Sequence, residues 1–353
     1  MVHEKKSRRM LALDYLRGYF ILVIIIDHLY RWPSALALLT GQGYLWFNAA
    51  DGFVIVSGLM IGYVRGYKGL KLSYWDVTKK LWSRAFLLYI WLITSTLIYT
   101  TLAWLNPSLQ GLPYVPIANG AWLDLAWQAV TMQFSYVWIN FLYLYAIFLV
   151  IAPAAVWLLR KRLAWVIVAL SLIGLLIGDM TNIKWLQWQP LFFIPSVAGF
   201  YLESIQSWWN SKKATKKIIP TAIYSLTFIL LGASVLTTFI LSSNPTIDAV
   251  NLYFNKEHIE LGGVIVSLIT FCGFVLFFIQ HESFIQKWLG WLLHPFGVNS
   301  LTAYILHGIV IIFIAATIPI SQSIILNTLA GIFAVGATLL LLKVPFITKI
   351  LPR

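Results

Sequence analysis

A polytopic, all-helical membrane bundle is the fold class the sequence predicts, and three observations predict it. Of the 353 residues, 60% are hydrophobic and only 10% are charged, with a mean hydropathy of +0.82. A soluble domain carries about 25% charged residues, so an ordinary globular enzyme, a coiled coil and a disordered chain are all excluded. Apolar stretches also recur at about the 20-residue length that a helix needs to cross a bilayer. With roughly 10–15 residues per connection, the chain has room for about ten or eleven of them. Finally, the basic residues fall unevenly on alternate connections. The 17 Trp, 17 Tyr and 22 Phe exclude a low-complexity chain.

Ten helical spans follow in order: 10–31, 44–64, 81–104, 135–158, 163–180, 185–204, 218–241, 259–280, 297–316 and 322–346. The shorter segment 121–133 carries Asp124 and reads as an interfacial piece between the third and fourth spans. Neither a fixed-period repeat nor a linker divides the chain, so 1–353 reads as one membrane domain. Basic residues followed by an apolar run, with Ala35-Leu36-Ala37 beyond, imitate a signal peptide. Asp14, Arg17, Asp27 and His28 inside that run argue for a first span instead. Cys272 is the only cysteine, so no disulfide can form within the chain.

The net charge of +13 comes from 25 Lys and Arg against 12 Asp and Glu. With the N-terminus inside, Arg31, Lys184 and Lys256 fall on the outer side, and Arg17 lies within the first span. The remaining 21 of the 25 then lie on cytoplasmic segments. They include Lys5, Lys6, Arg8 and Arg9 at the N-terminus, Lys212, Lys213, Lys216 and Lys217 mid-chain, and Arg353 at the end. Positive charge gathers on the cytoplasmic side of membrane proteins, so both termini are expected there. The basic excess marks topology, and no nucleic-acid partner is expected.

The first span, LDYLRGYFILVIIIDHLY, carries charges that a lipid-exposed helix would not. Asp or Arg at a span centre costs about 2.5–3.5 kcal/mol, while each large aliphatic residue returns only about 0.3–0.6. Intramembrane ionisable groups are functional candidates for that reason. Eleven residues separate Arg17 from His28, about 20° beyond three full turns, so the two share a face with His28 about 16 Å further along. Asp14 precedes Arg17 by three and joins that face, within pairing reach. Asp27 points elsewhere. The plainer reading is a charge-bridged packing helix.

In the second span Asn48, Asp51, Ile55 and Gly58 share a face, with Asp51 near the depth of His28 as a carboxylate able to orient the imidazole. Ser57 and Gly58 lie mid-membrane, where small residues let helices approach closely. Ser300, Tyr304 and His307 share a face of the ninth span, His307 near mid-membrane, either lining the same cavity as the first span or forming structural hydrogen bonds. Asn140 and Tyr143 of the fourth span are polar groups of the kind that bond between helices. The six histidines are scattered and Cys272 is alone, so no metal-ligand spacing appears. There is no phosphate-binding or dinucleotide glycine motif and no nucleophile elbow.

Arg17, ten intervening residues and His28, then DGFVIVSGLMIGYV (51–64) and GVNSLTAYILH (297–307), together resemble the membrane acyltransferase-3 superfamily. LDYLRG (13–18), SRAFLLY (83–89), LYLYAIFLVIAP (142–153) and WQPLFF (188–193) are similar to its OpgC-type branch, the succinyltransferases of osmoregulated periplasmic glucans. The resemblance covers essentially the whole chain. Asp51 stands where that branch more often has Glu, and Asn140 and Tyr143 stand where it has Asp and Pro.

The resemblance implies an integral protein of the inner (plasma) membrane that transfers an acyl group, succinyl or acetyl. The donor is a cytoplasmic acyl-CoA, a co-substrate rather than a bound cofactor. The acceptor is a hydroxyl of a cell-envelope glucan or other polysaccharide. Arg17, Lys80 and Arg84 are then expected to hold the coenzyme's phosphates. His28, Asp51 and Arg17 are expected to be the catalytic set, lined by Asp14, Ser57, Asn140, Tyr304 and His307. A buried Asp, Arg and His set also suits a proton relay in a transporter or flippase for a saccharide or lipid-linked saccharide, although no inverted halves with matched broken helices are visible. A scaffold without chemistry is disfavoured by the energetic cost of the first span.

Overall fold

The computed structural model describes residues 2–107, 109, 111–211, 215–241, 247, 250–251, 253–254 and 258–352, with side chains from Leu11 onward and outside 215–217. Of the cations in the charge count, Lys212, Lys213, Lys256 and Arg353 lie outside the described residues. So do the side chains of Lys5, Lys6, Arg8, Arg9, Lys216 and Lys217. Among the described residues the chain is helical, with no strand.

The helices run α1 (Val2–Leu29), α2 (Ala35–Thr40), α3 (Ala49–Met60), α4 (Tyr74–Leu105), α5 (Trp122–Val130) and α6 (Asn140–Arg160). They continue as α7 (Ala164–Thr181), α8 (Lys184–Trp188), α9 (Pro190–Phe200), α10 (Leu202–Ser211), α11 (Thr215–Val235) and α12 (Leu261–Gln280). The last five are α13 (Glu282–Trp288), α14 (Gly290–Val298), α15 (Ser300–Thr317), α16 (Ile324–Leu342) and α17 (Pro345–Ile350). Past Met60, α3 widens into π-helical turns over Ile61–Tyr67.

Among the described residues, eight helical segments are long and apolar enough to cross a membrane: Ala49–Lys71, Tyr74–Leu105, Val137–Arg160, Ala164–Thr181, Ile218–Ile240, Leu261–Gln280, Ser300–Thr317 and Ile324–Leu342. Met180 at 85% and Phe228 at 80% exposure present apolar surface outward, as lipid-facing helices do. Two of the ten expected spans fall outside this set, each for a physical reason. The first, α1, carries Asp14, Arg17 and Asp27 in its apolar stretch. The sixth is divided into α8 and α9, because Pro190 has no N–H to continue the ladder. There Gln187 and Gln189 turn their amides back to the Gly178 and Ser171 carbonyls of α7, at 3.2 and 2.7 Å.

The residues group into two compact units. The first comprises Met1–Gly43, Phe86–Ala146 and Glu282–Arg353, and the second Tyr44–Ala85 and Ile147–His281. Each is closed by a glycine crossing. In the first, a Cβ on Gly18 of α1 would stand 2.0 Å from the Leu293 oxygen of α14, and one on Gly297 would stand 1.9 Å from the Asp14 oxygen. In the second, Gly58 and Gly62 sit against the Phe192 and Ser196 carbonyls of α9, and Gly199 returns the contact against Leu59. Without a hydrophobic drive between helices in lipid, such close backbone packing supplies the attraction.

Candidate active site

In the first unit α1 and α15 are joined by three polar contacts within one seam. At the first, Arg17 Nη2 donates to Ser300 Oγ at 2.7 Å, and Ser300, the opening residue of α15, is buried. At the second, His28 Nδ1 and His307 Nε2 are 2.7 Å apart, with His28 half-buried and His307 wholly buried. At the third, Arg31 reaches the end of α15, where Nη1 donates to the Pro319 oxygen at 2.6 Å and Nη2 to the Ile318 oxygen. The last carbonyls of a helix have no partner within it, and a cation there satisfies them and matches the helix dipole.

The protons of the histidine pair can be assigned from its partners. His307 Nδ1 lies against the Tyr304 carbonyl oxygen, which can only accept, so Nδ1 carries the hydrogen. In the neutral ring Nε2 is then the acceptor, and the proton in the 2.7 Å contact belongs to His28 Nδ1. His28 Nε2 is left with its lone pair. A histidine whose tautomer is fixed by the bond at its other nitrogen is the usual arrangement of a working base.

Aromatic rings surround the pair. Tyr304 lies 6.4 Å from the His28 ring and 5.3 Å from the His307 ring, and Trp138 lies 6.5 Å from His307. Tyr99 donates its hydroxyl to the Ile305 oxygen and lays its ring where a Cβ on Gly308 would be. It packs in turn on Tyr136 and Trp138, with centroids 5.6 and 6.1 Å away. Tyr99, Tyr136, Trp138 and Tyr304 are themselves buried, as is His307.

The other expected site residues take varied places. Asp14, one turn before Arg17, lies within electrostatic reach of Arg17 and near His294. Asn140 opens α6 and accepts from Ser135 Oγ at 3.2 Å. In the second unit, Asp51 is fully buried at the start of α3, where it and Asn48 form a reciprocal capping box. Its Oδ2 also accepts from Ser267 Oγ of α12 at 2.9 Å. Ser57 bonds back to the Phe53 carbonyl of its own helix at 2.7 Å. Lys80 is exposed on α4, and Arg84, one turn on, is half-buried. The partner the structure gives His28 is thus His307, while Asp51's hydrogen bonds described here cap α3 and tie it to α12.

Sequence reasoning missed Arg31 as a helix cap and missed the aromatic wall of Tyr99, Tyr136 and Trp138. Arg31 lies just past the end of α1 at Leu29, and the helix end it caps belongs to α15, so its own sequence neighbourhood carries no signal of that role. The wall comes from segments about 170–210 residues away in sequence from α15 and left no local trace. Among the described residues, no three His, Cys, Asp or Glu side chains converge as a metal site.

The family model described as OpgC protein matches residues 9–348. No curated protein and no solved structure matches the chain.

Proposed function

The chain belongs to the OpgC family, and from that premise we propose that it is a membrane O-acyltransferase of the acyltransferase-3 type, seated in the inner membrane. It moves a succinyl or acetyl group from a cytoplasmic acyl-CoA to a hydroxyl of a cell-envelope glucan. The observation that carries this reading is the histidine pair, with its tautomer set so that His28 Nε2 keeps its lone pair. Transfer requires the acceptor hydroxyl to lose its proton as it attacks the thioester carbonyl, and a positioned histidine performs that task near neutral pH. Lys80 and Arg84 are the cations offered to the donor's phosphates, which need fixed positive charge.

A proton-relay transporter is the competing reading, and the same geometry speaks against it. The pair ends on the Tyr304 carbonyl, which cannot pass a proton onward.

The test is to incubate the purified protein with labelled acyl-CoA and envelope glucan. Transfer is expected in the wild type. His28→Ala is expected to lower turnover about 10²–10⁴-fold while folding and acyl-CoA binding persist. Near-wild-type turnover in a folded His28→Ala preparation would end the proposal.

A further inference from the structure

We propose that His307 is a positioning residue that leaves His28 a single working nitrogen, so that the acyl group passes directly from donor to acceptor within one complex, with no acyl-His28 intermediate. The inference rests on the acyltransferase reading and goes beyond it by fixing the order of events.

The argument is one of available lone pairs. His28 Nδ1 is 2.7 Å from His307 Nε2, and His307 Nδ1 is held by the Tyr304 carbonyl. Of the two lone pairs in the neutral pair, that of His307 Nε2 is engaged by His28 Nδ1–H, so His28 Nε2 is the one nitrogen whose lone pair is not already used within the pair. If that nitrogen were acylated, the one lone pair remaining would lie between His28 Nδ1 and His307 Nε2, turned inward and not toward the acceptor hydroxyl. His28 Nδ1 would still face His307, and His307 could hand nothing to a carbonyl oxygen. A double displacement would thus remove its own base before the second step.

Direct transfer uses the same nitrogen twice. His28 Nε2 takes the proton of the acceptor O–H while that oxygen bonds to the acyl carbon. The tetrahedral intermediate then breaks its C–S bond, and the coenzyme A thiolate takes the proton back from Nε2. The products are an ester and free thiol, and the neutral pair is restored with every atom accounted for. His307 touches no reacting atom in this scheme. It holds the His28 ring in one tautomer and one orientation through both halves, as a triad's third member does.

Isotope exchange in the purified full-length protein tests this. With succinyl-CoA or acetyl-CoA and labelled free coenzyme A, but no acceptor, direct transfer predicts no label in the acyl-CoA above the protein-free rate. With envelope glucan present, the same preparation should transfer the acyl group with intersecting initial-rate lines. Acceptor-independent exchange, parallel lines, or an acyl mass on the His28 peptide would overturn the inference while leaving the acyltransferase reading intact. Absence of transfer to glucan from either donor would instead fail the acyltransferase reading, and the inference with it.

Two variants separate positioning from bulk packing. In His307→Gln the side-chain oxygen can accept from His28 Nδ1–H while the amide donates to the Tyr304 carbonyl, and much of the turnover should return. His307→Phe fills the space without an acceptor and should lower kcat about 10²-fold with the donor KM unchanged. Equal activity in the two variants would overturn the positioning role.

Discussion

Arg31 is only 4% exposed, and its guanidinium serves carbonyls at the end of α15, with the Ile314 oxygen also 3.5 Å from Nη2. Hydrogen bonds to a charged group contribute about 1.5–3 kcal/mol each, and leaving buried carbonyls without donors carries a penalty of its own. Arg31→Met should therefore lower stability by about 2 kcal/mol or more, seen as a fall in Tm in detergent. Arg31→Lys should recover part of it, since an ammonium is a point charge and cannot span carbonyls as a planar fork does. An unchanged Tm in Arg31→Met would show that the cap is ornamental. The same residue marks how far single positions were legible. Arg17 and His28 stood out because ionisable groups in an apolar run are expensive, and that expense is local information. Their partners Ser300 and His307 lie 283 and 279 residues away, so the pairing itself was not in any local pattern. Arg31 reads in the sequence only as an outer-side charge, because the helix end it serves belongs to α15.

Among the elements, the apolar runs are readable as helices by their length, whereas the break within the sixth span and the answering of the charges on α1 are not. Hydropathy cannot show that Pro190 splits the sixth span, nor that charges on α1 are answered across a seam. Glycines give the sharpest element-scale prediction. At the α3–α9 crossing, Cβ atoms on Gly58, Gly62 and Gly199 would fall 2.0, 1.8 and 1.9 Å from backbone oxygens. No rotamer change relieves a clash with backbone, so the helices must separate and lose their packing. Gly62→Ala, and more severely Gly58→Leu, should reduce the folded fraction recovered in detergent, read by size-exclusion profile and Tm. Gly232 on α11 has nothing within 4 Å of its Cβ position. Gly232→Ala should be neutral or stabilising by up to about 1 kcal/mol, the helix-propensity difference between the two residues. If Gly62→Ala and Gly232→Ala behave alike, close approach is not what holds α3 to α9.

For the whole molecule, the sequence shows one continuous apolar composition, whereas contacts divide the chain into two units assembled from separate stretches. The division is invisible in composition because no polar linker accompanies it. Topology is where the charge count and the helix inventory make separate statements. The count of 21 cations on one side and 3 on the other favours ten crossings with both termini in the cytoplasm. Among the described residues, length and apolarity alone pick out eight candidates, omitting α1 and the α8–α9 pair. Positive charge resists translocation over short connections, so each doubtful crossing can be tested by reporters on its two flanks. A reporter ahead of α1 should be active only inside, and one placed at Ser34 only outside. Likewise, a reporter at Asn182 should read outside and one at Ser207 inside. The connection at Lys161, between α6 and α7, should read inside and that at Asn119, between α4 and α5, outside. If the flanks of α1 read on the same side, α1 does not cross. Arg17 and His28 would then lose the separation in depth that lets one helix face both a cytoplasmic donor and an external hydroxyl, and the transmembrane transfer scheme would fall with it.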